Sequence, residues 1–313
     1  MSIAISCIIV NYNTAKFTLD CVASIFETHK NTEAIEVIVV DNASEKEDYL
    51  LLESELQQKN FPNTKLIRSK QNFGFGAGNM IGVNAASNCK YYAFINNDTL
   101  QLTNNCLWVL KDFMDATPDA GVCSPQMLDE DKNFRSTIDH FSSLSREILK
   151  RGFLEKVNPK KYPSRKKFFD KPTAVNYVQG SFMFFNAEDF NKIGGFDTNL
   201  FLYYEESDLG IRLLRERKKY AYIFPEAQYI HFKSVSIKKS VNILIKRELK
   251  ISLLYHTRKH YSFLAHQFLL NFLRIRYGLT CVVKPKYFPL FRLLLGGASL
   301  SKSLKQKQSI KEI

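Results

Sequence analysis

The chain has 313 residues, 45% of them hydrophobic and 24% charged, enough for a large buried core and more than one compact unit. Its formal net charge of +13 is unevenly placed, because from Lys233 onward 17 Lys and Arg face only Glu248 and Glu312, leaving the first 232 residues slightly acidic. This map argues against a basic nucleic-acid-binding body and gives the tail alone an anionic surface as its expected partner. Six scattered cysteines without a Cys-x-x-Cys pair read as reduced core residues in a cytosolic compartment. The N-terminus lacks the pattern of a signal peptide. No apolar run reaches the ~18 residues of a membrane-spanning helix.

In chain order, Ile3 to Val10 is a β-branched apolar run suited to a strand buried on both faces, and it stops at Asn11-Tyr12-Asn13. Thr14 is placed to cap the next helix, which carries Phe17, Cys21, Ile25 and Phe26 on one stripe. Ile35 to Val40 predicts a second buried strand, ended by Asp41-Asn42-Ala43-Ser44. A Leu- and Glu-rich helix and a short strand over Lys65–Arg68 follow. Asn72-Phe73-Gly74-Phe75-Gly76-Ala77-Gly78-Asn79 is a Gly-rich turn opening another helix, and Tyr91 to Ile95 predicts a strand ending at Asn96-Asn97-Asp98. Strand, loop and helix repeated four times predict a doubly wound α/β sheet. Ligands of such sheets bind outside the carboxyl ends of the strands, where Asn11–Asn13, Asp41–Ser44 and Asn96–Asp98 all fall. Residues 129–172 are polar and basic and read as a mobile excursion. Order is expected again over Val175–Phe185, Gly194-Gly195-Phe196-Asp197 and Phe201–Leu209, and helical periodicity over Val241 to Gly278.

Asp41 can accept the imide N–H of a pyrimidine base, or it can be a turn-forming Asp before Asn42. The Gly-rich turn can bring backbone N–H groups to a phosphate at a helix N-terminus, or be a simple glycine loop; its spacing is not the Rossmann fingerprint. Asp98 can anchor Mg²⁺ or Mn²⁺ shared with a diphosphate, or cap a helix. Phe201-Leu202-Tyr203-Tyr204-Glu205-Glu206-Ser207-Asp208-Leu209 sets three acids among aromatics that raise carboxyl pKa values, which suits a general base; an acidic helix start explains the same residues. His231 is followed by Lys233, Ser234 and Ser236, a cation and hydroxyls able to contact phosphate.

Taken together and in this order, Ile9–Asn13, Val39–Ser44, Asn72–Asn79, Asn96–Asp98, Gly194–Asp197, Glu205–Leu209 and His231 resemble inverting glycosyltransferase family 2, and within it the rhamnosyltransferase-like branch. The resemblance implies a GT-A fold, a Rossmann-like nucleotide-diphospho-sugar transferase fold, with a helical C-terminal extension. It implies a nucleotide-sugar site at Val10, Asn11, Tyr12, Asp41, Asn72, Gly74, Phe75, Gly76, Asn79 and Asn97, with Asn11, Tyr12 and Asp41 on the base and ribose and the Gly74–Asn79 turn on the diphosphate. Asp98, as the last residue of a D-x-D-like motif, and His231 would hold Mn²⁺ or Mg²⁺. The family's Glu-Asp pair falls on Glu205-Glu206, which makes Glu206 the expected base, with Glu205 and Asp208 as alternatives. Two departures stand out: Asn96 and Asn97 replace the earlier acids of D-x-D, and Glu206 is longer than the family's Asp by a methylene.

The expected organisation is a GT-A domain over 1–236, with a nucleotide-sugar half (1–120) and an acceptor half (121–236), then a basic, aromatic-rich helical extension over 237–313. The implied reaction moves a sugar from dTDP-rhamnose or a UDP-sugar to a saccharide or lipid-linked oligosaccharide acceptor of surface polysaccharide synthesis. A cytoplasmic protein is expected, and a peripheral seat on the inner membrane face and a homo-oligomer stay open. The tail reads equally as a lipid-binding segment or as a helical cap over the acceptor site. A nucleotidyltransferase would want a basic Gly-rich signature after the first strand, which Asn11-Tyr12-Asn13 is not, and no nucleic-acid-binding motif is present.

Overall fold

A computed structural model describes residues 2–232 and 242–311. The expected phosphate contacts from Lys233, Ser234 and Ser236, and the expected boundary at 236/237, lie outside the described residues. The chain runs β1 (Ile5–Asn11), α1 (Ala15–Thr28), β2 (Ile35–Asp41), α2 (Lys46–Lys59), β3 (Thr64–Arg68), α3 (Gly74–Ala85), β4 (Tyr91–Asn96), β5 (Thr99–Gln101), α4 (Cys106–Ala116) and β6 (Ala120–Leu128). It continues through β7 (Ile138–Asp139), α5 (Leu144–Leu149), α6 (Arg151–Val157), β8 (Thr173–Val175), β9 (Tyr177–Val178), β10 (Phe182–Asn186), α7 (Ala187–Lys192), α8 (Glu205–Arg212) and β11 (Tyr220–His231). Three helices close it: α9 (Asn242–His260), α10 (Phe263–Val283) and α11 (Phe288–Leu295).

Nine strands make one mixed sheet in the order β3-β2-β1-β4-β10-β6-β11-β5, with β8 along β11. β3, β2, β1 and β4 are parallel, as the alternation of strand and helix predicts, and every residue of β2 is buried because helices cover both faces. The register sets Asn11 beside Asp41 and Val10 beside Val40 and Asn96, so the polar ends of three strands meet. β10 then runs antiparallel to β4, and the two expected halves share this single sheet; residue 120 is the first residue of β6.

One face of the sheet packs Leu19, Val22, Ile25, Leu52 and Leu110 of the covering helices. On the other, Phe94, Phe190 and Phe196 form a triangle with centroids 4.9 to 5.5 Å apart, each pair adding roughly 0.5–1.5 kcal/mol beyond the area it buries. A third cluster, with Leu253, Leu254, Leu269, Leu273 and Leu290, joins α9, α10 and α11 and takes in Tyr204 from the main domain. The extension is thus helical as expected, and it packs against the loop before α8.

Residues 129–172 are not a loose excursion. Asp139 accepts from Arg146 and Arg151, both at 2.8 Å, and Arg165 is paired with Glu155 at 2.8 Å, so the many charges that read as solvated tie β7, α5 and α6 together. Thr14 likewise occupies the N-cap position of α1 without capping it: the Ala15 N–H donates to Asp48 Oδ1 of α2 at 2.9 Å instead.

Candidate active site

The strand ends meet in a hub centred on Asn11. Its Nδ2 lies 3.0 Å from Asp41 Oδ1, Ser44 Oγ and Asp48 Oδ2, and its Oδ1 accepts from Thr18 Oγ1 at 2.8 Å. Asn97 Nδ2 donates to Thr14 Oγ1 and Thr18 Oγ1, at 2.6 and 2.8 Å. Asp41 Oδ2 accepts the Ser44 N–H, and Arg68 Nε stands 3.7 Å away while its guanidinium lies over the Tyr49 ring. Both Asn11 and Asp41 have a relative exposure of 0%. In this structure the polar groups that end three parallel strands satisfy one another. Tyr12, 39% exposed, is the hub residue that faces outward, and Val10 is half-buried against Gly78.

The Gly-rich turn is closely engaged within the fold. The N–H groups of Phe73, Gly74 and Phe75 are already taken, by Asn42 Oδ1, Asn72 Oδ1 and the Phe201 carbonyl. Asn79 turns its amide back to the Phe75 carbonyl. The glycines serve close packing. Gly74 has φ +84°, and a Cβ there would stand 2.1 Å from the Phe201 oxygen; at Gly76 one would stand 3.2 Å from the Phe196 Cβ. The turn is a seat for the Phe201–Tyr204 loop.

The metal-binding expectation brings its two residues together. β11 pairs antiparallel with β5, placing His231 opposite Thr99, and His231 Nε2 lies 3.1 Å from Asp98 Oδ1. Both side chains keep some exposure, 11% for Asp98 and 18% for His231. The Phe232 N–H bonds the Asp98 carbonyl, and Arg135 donates to the His231 carbonyl, so both backbones are fixed. Among the described residues no third acid, His or Cys completes a metal-binding group. One carboxylate and one imidazole fit a divalent ion whose remaining positions go to phosphate oxygens and water, the usual habit of Mg²⁺ and Mn²⁺ at nucleotides.

The three acids of α8 have three different environments. Asp208 is buried; its Oδ1 lies 2.6 Å from Lys259 Nζ and 2.7 Å from His260 Nε2, and its Oδ2 accepts from Arg212. Burial opposes its ionisation, yet His260, Arg212 and Lys259 together hold its carboxyl well below the usual range. Its ion pairs tie α9 to α8 and engage both of its oxygens. Glu206 Oε1 accepts the Gly180 N–H at 3.0 Å, and burial outweighs that bond to push its carboxyl up. Glu205 is 2% exposed, its Oε1 has no hydrogen-bond partner among the described residues, and burial with the neighbouring Glu206 charge pushes it well above the glutamate range.

Tyr203 and Tyr204, which launch α8, both have left-handed backbones with φ +75° and +74°, a strain of roughly 1–3 kcal/mol each. Two sides hold them there. The Phe201 carbonyl is bonded by α3, and the Leu202 carbonyl accepts Ser252 Oγ of α9 at 2.8 Å, while the Tyr204 ring lies against His256. The extension thus clamps the acidic turn.

Sequence reasoning missed the corner at Gly180-Ser181. The Gly180 N–H holds Glu206, and a Cβ there would come within 2.7 Å of that carboxylate. Ser181 accepts the Asn96 N–H through its carbonyl at 2.9 Å, and its Oγ lies 2.6 Å from Tyr229 Oη. Asn96 is two residues before Asp98 and Tyr229 two before His231, so one dipeptide connects the candidate base to both candidate ligands. A Gly-Ser step directly before the apolar run Phe182–Phe185 was its only sequence signal.

The sequence profile described as Glycosyl transferase family 2 matches residues 6–194. The chain is similar to the rhamnosyltransferase WbbL of Escherichia coli, 27% identical over 194 residues, covering 60% of this chain and 71% of that protein. It is similar to an N-acetylglucosaminyl-diphospho-decaprenol L-rhamnosyltransferase of Mycobacterium tuberculosis, 26% identical over 188 residues, covering 56% of this chain and 61% of that one. Among solved structures, GalNAc-T7 with UDP, GalNAc and Mn²⁺ shares the fold with a TM-score of 0.57 at 16% identity, over 80% of this chain and 47% of that one. The mannosyltransferase PcManGT from Pyrobaculum calidifontis, in complex with GDP-Man and Mn²⁺, has a TM-score of 0.56 at 14% identity, over 96% and 87% of the two chains. The expected GT-A architecture is therefore the one present.

Proposed function

The chain belongs to glycosyl transferase family 2, and we propose that it transfers L-rhamnose, with inversion, from a pyrimidine nucleotide-sugar to a saccharide on a lipid-linked acceptor. Glycosyl transfer follows from the family; the sugar and the acceptor are inferred from the two rhamnosyltransferases, one of which acts on a diphospho-decaprenol-linked sugar by its name. The observation that carries the reading is the Gly180-Ser181 corner, which fixes Glu206 on one side and the strand ends bearing Asp98 and His231 on the other.

In this mechanism Glu206 takes the proton of an acceptor hydroxyl while that oxygen bonds the anomeric carbon. The bond from the anomeric carbon to the diphosphate oxygen breaks, and the electron pair leaves with the nucleoside diphosphate. A carboxyl held above its ordinary value by burial and aimed by one backbone N–H suits that role. A divalent ion held by Asp98 and His231 would supply Lewis-acid stabilisation of the departing charge. Asn11, Asp41 and Asn97 act one step back, by fixing the platform that carries Tyr12 and Asp98. Glu205, buried beside Glu206 with one carboxylate oxygen unpartnered among the described residues, is held protonated by burial and the Glu206 charge.

A thermal-shift series with Mn²⁺ tests the donor: dTDP-L-rhamnose should stabilise the protein more than UDP-sugars and much more than GDP-mannose. Equal shifts for purine and pyrimidine donors would refute the pyrimidine reading, and no shift with any nucleotide sugar would refute the site.

A further inference from the structure

The C-terminal helices carry a second concave surface. Between α9 and α10, closed at one end by the turn at Pro285–Tyr287, lies a cleft of about 340 Å³ lined by Lys246, Lys250, Arg276 and Lys284 with Tyr277 and Tyr287. No carboxylate lines it. Lys246 Nζ donates to Tyr287 Oη at 2.8 Å and, with Lys286 and Lys284, holds that phenol below its ordinary value, as a positive field requires. Lys250 is half-buried, and burial lowers its ammonium despite the attraction of Glu147. Four cations gathered around one cavity repel one another unless an anion enters.

Beside the cleft, α10 turns an apolar stripe to solvent. Leu264, Phe268, Ile275, Leu279 and Val282 are between 57% and 82% exposed. At 3.6 residues per turn they fall within about 60° of arc. Val283 and Arg276 sit at the edge where this stripe meets the cleft face of Arg276, Thr280 and Lys284. An apolar stripe bordered by cations is the pattern of a helix lying in a membrane interface. A second copy of this chain would bring the same basic border against itself, whereas an anionic lipid surface complements it.

We propose that the cleft between α9 and α10 binds a phosphate or diphosphate carried by a membrane lipid, with the Leu264–Val282 stripe lying in the acyl boundary. That this lipid is the carrier of the saccharide acceptor rests on the function proposed above; the binding itself does not. The full-length protein, without donor or metal, is sedimented with phosphatidylcholine vesicles containing a polyprenyl phosphate or, at matched charge, phosphatidylglycerol, and is titrated separately with inorganic pyrophosphate. The phosphomonoester vesicles should bind about tenfold or more tightly than the matched ones, and Lys246→Ala with Arg276→Ala should remove the difference. Ile275→Ser with Leu279→Ser should detach the protein from both vesicles and leave pyrophosphate binding unchanged. Arg276→Lys, which keeps the charge, should retain most of the preference. Equal binding to both vesicles, or a preference that survives loss of Lys246 and Arg276, overturns the site. If pyrophosphate matches the polyprenyl phosphate and the stripe variant still binds vesicles, the ligand is free phosphate and the lipid assignment fails. A dimer in solution that the stripe variant dissolves gives the stripe to a second copy and overturns the membrane. Transfer to a soluble acceptor, measured in parallel, fails only if the enzymatic reading is wrong.

Discussion

The two sides of the candidate site are built on opposite principles. On the nucleotide side, Asn11, Asp41, Ser44, Asp48, Thr18 and Asn97 hydrogen-bond one another, and no exposed polar atom of Asn11 or Asp41 remains. On the acceptor side, Glu205 is buried and Glu206 half-buried, both with raised carboxyls, one Glu205 oxygen has no partner among the described residues, and the backbone before them is strained. A satisfied polar network gives rigidity, and an unsatisfied one stores reactivity. In the proposed mechanism, strand-end polarity, the feature that most clearly located the site, builds the scaffold, and the chemistry is assigned to the acids that the fold leaves in discomfort.

The sharpest way to break this comparison is to remove the acid credited with the reaction. Glu206→Gln keeps the size and the Gly180 contact, so transfer at saturating donor and acceptor should fall by about 10²–10⁴-fold, with melting temperature and donor affinity nearly unchanged. Near-normal turnover would hand the base to Glu205. Next in size is Asp98→Ala. Calorimetry should show the metal-dependent part of donor affinity gone and His231 alone unable to restore it; affinity that still rises on adding Mn²⁺ would remove Asp98 from the metal site.

The nucleotide side should answer to stability before it answers to chemistry. Asp41→Ala strips an acceptor from Asn11, the Ser44 N–H and Arg68 inside a closed hub, at a cost of about 1–3 kcal/mol. Urea midpoints should drop accordingly, and any loss of nucleotide binding should follow the fraction unfolded. A variant as stable as the parent that no longer binds pyrimidine diphosphates would return Asp41 to the role of base reader.

What the sequence made legible follows from what is local. The parallel run β1, β2, β3 and β4 shows in continuous apolar segments, because strands buried on both faces need them, and their carboxyl ends show in the Asn and Asp that stop each run. The antiparallel insertion of β10 beside β4 does not show, since pairing partners distant in sequence leave no periodic signal. Residues 129–172 misled for a related reason: Arg146, Arg151 and Arg165 look solvated until Asp139 and Glu155 are brought to them. The pairing of Asp98 with His231 was legible only through family resemblance. Gly180 carried almost no signal, because its use is a single N–H aimed at a side chain 26 residues later. Asp208 read as a rival base because its partners, Lys259 and His260, lie in a helix whose docking the sequence leaves open.

The smallest expected effect tests the discomfort itself, through pH. Burial and the Glu206 charge raise the Glu205 carboxyl, so the folded state prefers it protonated. The sign follows from linkage: a carboxyl raised on folding opposes folding wherever it would ionise in the unfolded chain, above about pH 4.3, and the penalty shrinks as pH falls toward that value. Asp208 runs the other way. Its carboxyl is lowered by His260, Arg212 and Lys259 against the pull of burial, so it stabilises the fold above its unfolded value, and that contribution is lost as pH falls. Glu205→Gln, neutral at every pH, should therefore gain on the order of 1 kcal/mol at pH 8 and little at pH 5, a modest gain because the amide also lacks a partner. Asp208→Asn should lose stability at pH 8 and lose less as pH falls. Denaturant midpoints for both variants at the two pH values give the comparison directly. A Glu205→Gln gain that does not grow with pH would mean that Glu205 is ionised and paired, and the acceptor side would then be as satisfied as the hub opposite it.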